Sequence, residues 1–305
     1  MIKKITIGDV EIYRIVEMEG PILGVFELFP DATEDIIKNH QRWMVPRFYE
    51  PDSKLLRIAI QGFLLKTPRH TILVDTCSGA LKKRKRPIFN MQNWPWLETL
   101  SASGVLPQGI DTVVCTHLNV DHVGWNTVWR EDHWQPTFPN AQYIISKSDY
   151  QYWDQLAGQN HLPRTGDYIE DSVHPVYDSG KLELVDDNHI IEESIRLESI
   201  PGHSPGQVAV HINSKGEKAV IGSDVIHHPL QCLYPEWSTN FCVDKTKSRK
   251  TRREFLEKYA DSDILCLPSH FPSPTAVFFE RNGSLFNFRY KGDTESIIPK
   301  DSFMI

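Results

Sequence analysis

The chain has 305 residues, 40% of them hydrophobic and 24% charged, with a formal net charge of −7. These are ordinary globular values, and the acidic balance argues against nucleic acid or an anionic membrane as the main partner. No apolar run approaches the roughly 18–20 residues of a membrane span. Met1-Ile2-Lys3-Lys4 leads straight into a strand pattern without the apolar stretch of a signal peptide. The five cysteines, Cys77, Cys115, Cys232, Cys242 and Cys266, are odd in number and lack short paired spacing. They read as free thiols in a reducing cytoplasm, which is the expected location.

In chain order, Ile5–Val16 reads as two short strands around Gly8-Asp9. Residues 20–50 read as a long loop with one short helix near Glu34–Arg42, and Leu23–Pro46 within it as a lid. Leu56–Leu65 and Thr71–Val74 form a hairpin, and Asp75-Thr76-Cys77 opens a loop. The basic run Lys82-Lys83-Arg84-Lys85-Arg86 reads as a solvated loop, with an anion-steering patch as the alternative. Trp96–Ser103 is a helix ended by Gly104, and Thr112–Cys115 is an apolar strand. Ala141–Ser146 reads as a strand and Lys147–Leu156 as a helix. Strands follow at Leu182–Val185, Ile195–Ser199, Gln207–Ile212 and Ala219–Ile221. Thr251–Tyr259 is a helix, and Ile264–Leu267, Ala276–Glu280 and Leu285–Arg289 are late strands. Two sheets packed together and flanked by helices accommodate this order. No long linker interrupts it, so residues 1–305 read as one domain.

The chemistry concentrates at strand ends. Thr116-His117-Leu118-Asn119-Val120-Asp121-His122-Val123-Gly124 follows an apolar strand directly. It places four groups able to bind a metal within six residues, and imidazole nitrogen and carboxylate oxygen both suit zinc and its neighbours. Pro201-Gly202-His203-Ser204-Pro205-Gly206 frames a histidine in a turn made stiff by proline and sharp by glycine. Asp224 and His270 each follow a further strand.

At these residues the sequence resembles the metallo-β-lactamase superfamily, whose ligands run H-x-H-x-D-H, a later His, a bridging Asp and a final His. The matching residues are His117, Asn119, Asp121, His122, His203, Asp224 and His270, with Asp75 at the family's early aspartate. The resemblance spans roughly Ile5 to Arg289. It implies an α/β fold, the four-layer αββα sandwich, and a metal-dependent hydrolase using a metal-bound hydroxide. His122-Val123-Gly124-Trp125-Asn126-Thr127, Thr137-Phe138-Pro139-Asn140-Ala141 and Ser269-His270-Phe271-Pro272 resemble the branch with quorum-signal lactonases, methyl parathion hydrolase and chlorothalonil dehalogenase.

The sequence departs from the pattern at Asn119, where the family has histidine. A neutral amide oxygen is a poorer ligand than imidazole, so the His117–Asn119–His203 half is expected to be weaker than the Asp121–His122–His270 half, with Asp224 between them. One or two Zn2+ ions are expected, with Fe, Mn or Co as other candidates. Asp121, Asp224 and His227 are the expected catalytic residues. His227 stands three residues after Asp224, where the lactonases have a tyrosine that helps hold the substrate carbonyl.

Trp94, Trp96, Trp125, Trp129, Tyr234, Trp237 and Phe271 lie near strand-end loops, where some can line an apolar pocket. The expected substrate is a small, partly apolar ester, lactone or related electrophile; a homodimer is an open assembly. Two other classes remain: a mononuclear iron oxygenase using His117, His203 and Asp224, and a non-catalytic binding protein.

Overall fold

The computed structural model describes residues 4–158 and 165–303. The first half contributes β1 (Lys4–Ile7), β2 (Val10–Gly24), α1 (Val25–Leu28), α2 (Glu34–Met44), β3 (Tyr49–Glu50), β4 (Leu55–Lys66), β5 (Thr71–Val74) and α3 (Trp96–Ser101). Then come β6 (Thr112–Cys115), β7 (Thr127–Arg130), β8 (His133–Pro136), β9 (Gln142–Ser146), α4 (Lys147–Leu156), α5 (Tyr168–Ser172), α6 (His174–Asp178) and β10 (Leu182–Val185). The second half contributes β11 (Ile190–Glu192), β12 (Ile195–Ser199), β13 (Val208–Ser214), β14 (Glu217–Ser223), α7 (Leu230–Leu233), α8 (Lys245–Tyr259), β15 (Leu265–Pro268), β16 (Val277–Asn282) and β17 (Leu285–Tyr290).

Among the described residues the strands form an eight-stranded sheet, ordered β1-β2-β4-β5-β6-β9-β10 with β3 on β4, and a seven-stranded sheet running β11 to β17 in order. Successive side chains point to opposite faces of a strand. Val114 therefore faces the second sheet, where it joins Ile72, Val210, Ile221 and Leu267 in one core. Its neighbours Val113 and Cys115 face outward and pack with Trp96, Leu100, Trp153 and Tyr168 from helices. On the second sheet Val220 and Cys266 face outward beneath Phe255, Leu256 and Tyr259 of α8. Helix, sheet, sheet, helix is thus the layer order, as the family resemblance implied.

The strand pairs β5–β6, β6–β9 and β14–β15 are parallel. Their carboxyl ends release Asp75, Thr116 and Asp224 at the same edge, the usual place for a site in such sheets.

Several expectations are corrected. Residues 20–50 are not a long loop with one helix: β2 runs on to Gly24 and pairs with β4 as far as Leu55, with irregular register at Val16/Met18 and Pro21/Leu23. Those interruptions broke the alternation that would have marked the strand. Helix α8 starts at Lys245, six residues early, because Asp244 caps it by accepting the Lys247 N–H at 2.9 Å. The first turns are polar and carry no apolar period. The β7–β8 hairpin and the short β11 were also unmarked.

The basic run is not a solvated loop. Lys82 and Arg84 are 1% and 5% exposed. Arg84 grips Asp171 through two bonds of 2.6 and 2.8 Å. Lys82 Nζ donates to Thr127 Oγ1 at 2.7 Å and lies 3.7 Å from the Trp134 ring centre. The alternation of buried and exposed residues leaves only Lys83 and Lys85 of the run fully at the surface.

Candidate metal centre

β6 delivers His117 and the loop that follows; β14 and β15 deliver Asp224 and His270. The turn holding His203 closes over them. Gly202, at φ +136°, abuts the start of α8, and a Cβ there would lie 2.4 Å from Ser248 N. At Gly206 a Cβ would lie 2.4 Å from Asp149 N. Both glycines are required by close approach, which presses this turn against its neighbours.

The Asp224 carboxylate lies at the centre. Its Oδ2 is 3.0 Å from His270 Nε2, 3.2 Å from His227 Nε2, 3.4 Å from His203 Nε2 and 3.8 Å from His117 Nε2. Its Oδ1 is 3.3 Å from His122 Nε2. Asp121 stands 3.9 Å from His122 Nε2 and 3.8 Å from His270 Nε2. Three overlapping donor sets result, each with its ligand atoms within 4.8 Å of one another: His117–His203–Asp224, Asp121–His122–His270, and Asp224–His227–His270.

The outward nitrogens of the rings are held from behind. Asp75 Oδ2 accepts from His122 Nδ1 at 2.9 Å, and Ala59 O accepts from His270 Nδ1 at 2.8 Å. His203 Nδ1 faces Cys242 Sγ at 3.6 Å, and His117 Nδ1 faces Thr116 Oγ1 at 3.2 Å. Such partners leave Nε2 as the inward lone pair. His117 Nε2, His122 Nε2 and Asp224 Oδ1 are buried without a hydrogen-bond partner. Buried polar atoms are normally paired, so orphaned atoms converging on one gap fit a divalent cation of the zinc type.

Burial drives His117 well below and His203 below the usual histidine range. It is also the largest influence on His122 and His270, but the surrounding carboxylates together outweigh it, Asp224 with Asp75 and Asp121 for His122 and Asp224 with Asp121 for His270, and both are raised. Burial disfavours a charged Asp224, yet His270, His122 and His227 hold its carboxyl well below the usual range. Raised His122 and His270 thus favour their protonated forms beside the ionised Asp224, and a bound divalent cation would take the place of those protons.

All six histidine and aspartate residues expected as ligands meet here. Asn119 also reaches the site, but its Nδ2 donates to His203 Nε2 at 2.7 Å. That nitrogen cannot bind a cation, which leaves only the amide oxygen of Asn119, a poorer ligand than imidazole. His227 is in the cluster, whereas His228 is in the core beneath, with Nε2 bonded to Phe48 O at 3.0 Å.

The site opens into a cavity of about 420 Å³, walled by Ile60, Phe89, Tyr152, Trp153, Leu156 and Phe241 among others. None of the seven aromatic residues near strand-end loops lines this cavity: Trp96, Trp125, Trp237 and Phe271 are buried in cores, while Trp129 is 53% exposed. Part of the wall comes from α4 through Tyr152, Trp153 and Leu156, which carry no motif.

Sequence reasoning also missed Asp149. Its Oδ2 accepts the Leu118 N–H at 2.7 Å, and its Oδ1 accepts the Gly206 N–H at 2.9 Å and the Ser204 hydroxyl. Ser146-x-x-Asp149 has the look of a helix start, and Ser146 does cap α4. That local role hides the tertiary one.

Residues 59–270 match the metallo-beta-lactamase superfamily. The N-acyl homoserine lactonase AttM of Rhizobium radiobacter is 24% identical over 209 residues, covering 61% of this chain and 70% of that protein. Among solved structures, the hydrolase AbOPH superposes with a TM-score of 0.78 at 22% identity, covering 96% of this chain and 98% of that one. AidC, a dizinc quorum-quenching lactonase in complex with a product, gives 0.75 at 22% identity over the same shares. The chain belongs to the metallo-β-lactamase superfamily and is a metal-dependent hydrolase with lactonases among its relatives. Among the described residues no helix is long and apolar enough to cross a membrane.

Proposed function

We propose that this hydrolase cleaves a small lactone or ester carrying an apolar acyl arm. The observation that carries this reading is that the His/Asp cluster lines a largely apolar cavity. Acyl-homoserine lactones, the substrates that AttM's name states, are the first to test.

His117, Asp121, His122, His203, Asp224 and His270 hold the metal in this reading, and zinc is the metal we assign. A divalent cation there supplies Lewis acidity and a water whose pKa falls from 15.7 to about 7. Asp224, the carboxylate at the centre of the cluster, would orient the attacking water. Asp121 is the more exposed carboxylate, at 18% of its side chain, and accepts the proton on the cavity side. His227 is the third member of the set, acting as a hydrogen-bond donor to the substrate oxygen or in the way argued next. The apolar wall seats the acyl arm and limits water.

Asn119 weakens the His117–His203 half, so two bound metals would differ in affinity. We also read the chain as one domain acting in the cytoplasm on a small molecule. Residues 20–50 then supply a pocket wall through Ile22, Leu23 and Leu28.

The test is turnover of the zinc-loaded protein on a series of lactones and esters of increasing acyl length. Activity should rise with acyl length until the cavity is filled. His122→Ala and Asp224→Ala should each abolish it while the folded circular-dichroism spectrum persists. Retained turnover in either variant overturns the mechanism; no turnover on any lactone or ester overturns the substrate class.

A further inference from the structure

We infer that His227 is itself a metal ligand, acting with Asp224 and His270, and so supplies an imidazole that the H-x-H-x-D-H pattern does not contain. This rests on the metal-site reading above.

The first argument is distance. Ligands about 2.0–2.2 Å from a tetrahedral zinc lie about 3.3–3.6 Å from one another. His227 Nε2 is 3.2 Å from Asp224 Oδ2, beside His203 at 3.4 Å and His270 at 3.0 Å. His227 thus takes the same spacing around the central carboxylate as the histidines of the family pattern. Asp224, His227 and His270 are all buried, with ligand atoms mutually within 4.8 Å.

The second argument is that His227 Nδ1 is buried without a hydrogen-bond partner, and Nε2 meets only the Asp224 carboxylate. Its neighbour His228 shows what a structural histidine looks like in this same turn. His228 Nε2 is bonded to Phe48 O at 3.0 Å, and His228 Nδ1 accepts the Leu230 N–H at 3.3 Å. A buried imidazole is normally satisfied in that way. His227 instead presents Nε2 to the same gap as the orphaned Nε2 atoms of His117 and His122.

The third argument is how the ring is held. The His227 N–H donates to Gln231 Oε1 at 2.7 Å, and Gln231 Nε2 donates to Trp237 O at 2.8 Å. The ring stacks on His270 at 16° and 5.5 Å, and lies 4.8 Å from the His203 ring. Backbone anchoring and ring packing fix the direction of Nε2 in place of the usual partner on Nδ1.

The arrangement also offsets the departure at Asn119. On the opposite side the Asn119 amide ties up His203 Nε2. His227 adds a donor to the His270 side, so the first cation to bind is held there.

Cobalt(II) is the probe, titrated into metal-free protein and followed by its visible absorption. Wild type is compared with His227→Ala and His227→Phe, the second of which keeps a ring on His270 and removes the nitrogens. Both variants should lose affinity for the first cobalt by at least about tenfold, since loss of a mere supporting partner already costs about 10–100-fold. Both should also show an altered absorption band. If both keep the wild-type affinity and band but lose turnover, His227 is a substrate hydrogen-bond donor and the inference is overturned. If Ala weakens binding and Phe does not, the effect is packing, and the inference is again overturned. Cobalt binding by neither wild type nor variants would overturn the metal-site reading itself.

Discussion

Asp75 Oδ2 accepts the His122 Nδ1–H at 2.9 Å, with both side chains 1% exposed. The same carboxylate accepts the Thr116 N–H at 2.8 Å and the Thr116 hydroxyl at 2.9 Å. Asp75 therefore sets the tautomer of His122 and fastens the ligand loop to the end of β5. It does so from a left-handed backbone conformation, φ +60°, which aspartate adopts more readily than most side-chain-bearing residues.

Asp75→Asn should leave a folded protein that binds metal poorly. An amide replaces one accepting oxygen by a donor, which cannot satisfy all three of these contacts. Partners of this kind are worth about 10–100-fold in metal affinity. Competition with a chelator of known affinity measures the change. Unaltered zinc affinity would show that His122 is oriented by packing alone.

Asp171→Ala should destabilise the fold by about 3–5 kcal/mol, the cost of leaving a buried charge without its partner. Lys82 and Arg84 both lean on this carboxylate, and both of their side chains are fully buried. Burial pulls the Lys82 ammonium down to about 7 even with Asp171 opposing it, so loss of Asp171 removes what keeps charge there. Urea unfolding measures the loss. A change under about 1 kcal/mol would mean that water or the Trp134 face already satisfies these cations.

The contrast between these two sites explains what the sequence made legible. His117, Asp121, His122, His203, Asp224 and His270 were readable because their residue types are the chemistry, and each follows an apolar strand. Lys82 and Arg84 looked like any surface charge run, since their partner Asp171 lies 87 residues further on in the case of Arg84. Asp149 was concealed by its own local role at the start of α4. His227 was singled out as a catalytic residue, but its unpaired Nδ1 is a fact of packing that no spacing predicts. Strands with clean alternation were legible; β2 beyond Val16 was not, because bulges shift its faces.

Glu198 gives a pH dependence outside the metal centre. The His211 hydrogen bond, together with Lys258, pulls its carboxyl down to about 2 against burial. His211 Nε2 and Lys258 Nζ each lie 2.6 Å from Glu198 Oε2. A depressed carboxyl stabilises the fold above its unfolded pKa of about 4.5, and this stability is lost as pH falls from there towards about 2. Glu198→Gln lacks that contribution. The melting-temperature gap between wild type and variant should therefore be present at about pH 7 and shrink at about pH 3. Glu198 is partly exposed, so the full effect is about 1 kcal/mol. A gap that stays constant across this range would show that the carboxylate's charge is not what its partners hold.

Asp149→Asn should separate the two halves of the metal centre. Through Oδ2 the carboxylate holds the Leu118 N–H, one residue after His117; through Oδ1 it holds the Gly206 N–H and the Ser204 hydroxyl, one residue after His203. Trp153 Nε1 adds a bond to Ser204 Oγ at 2.8 Å, so α4 fastens both turns with adjoining residues. His117 and His203 form one donor set with Asp224, while Asp121, His122 and His270 form the other, which Asp149 does not touch. Asparagine turns one of the accepting oxygens into a donor that faces other donors, and each orphaned buried N–H costs about 1–3 kcal/mol. Metal affinity at the His117–His203 set should fall by about 10–100-fold. Affinity at the Asp121–His122–His270 set should change much less. A zinc titration followed by calorimetry resolves the two phases, with Asp149→Glu as a variant that keeps the charge but lengthens the arm. Equal weakening of both phases would show that the two halves are not mechanically separate. No weakening of either would show that the Asp149 contacts serve the fold and leave the ligands unaffected.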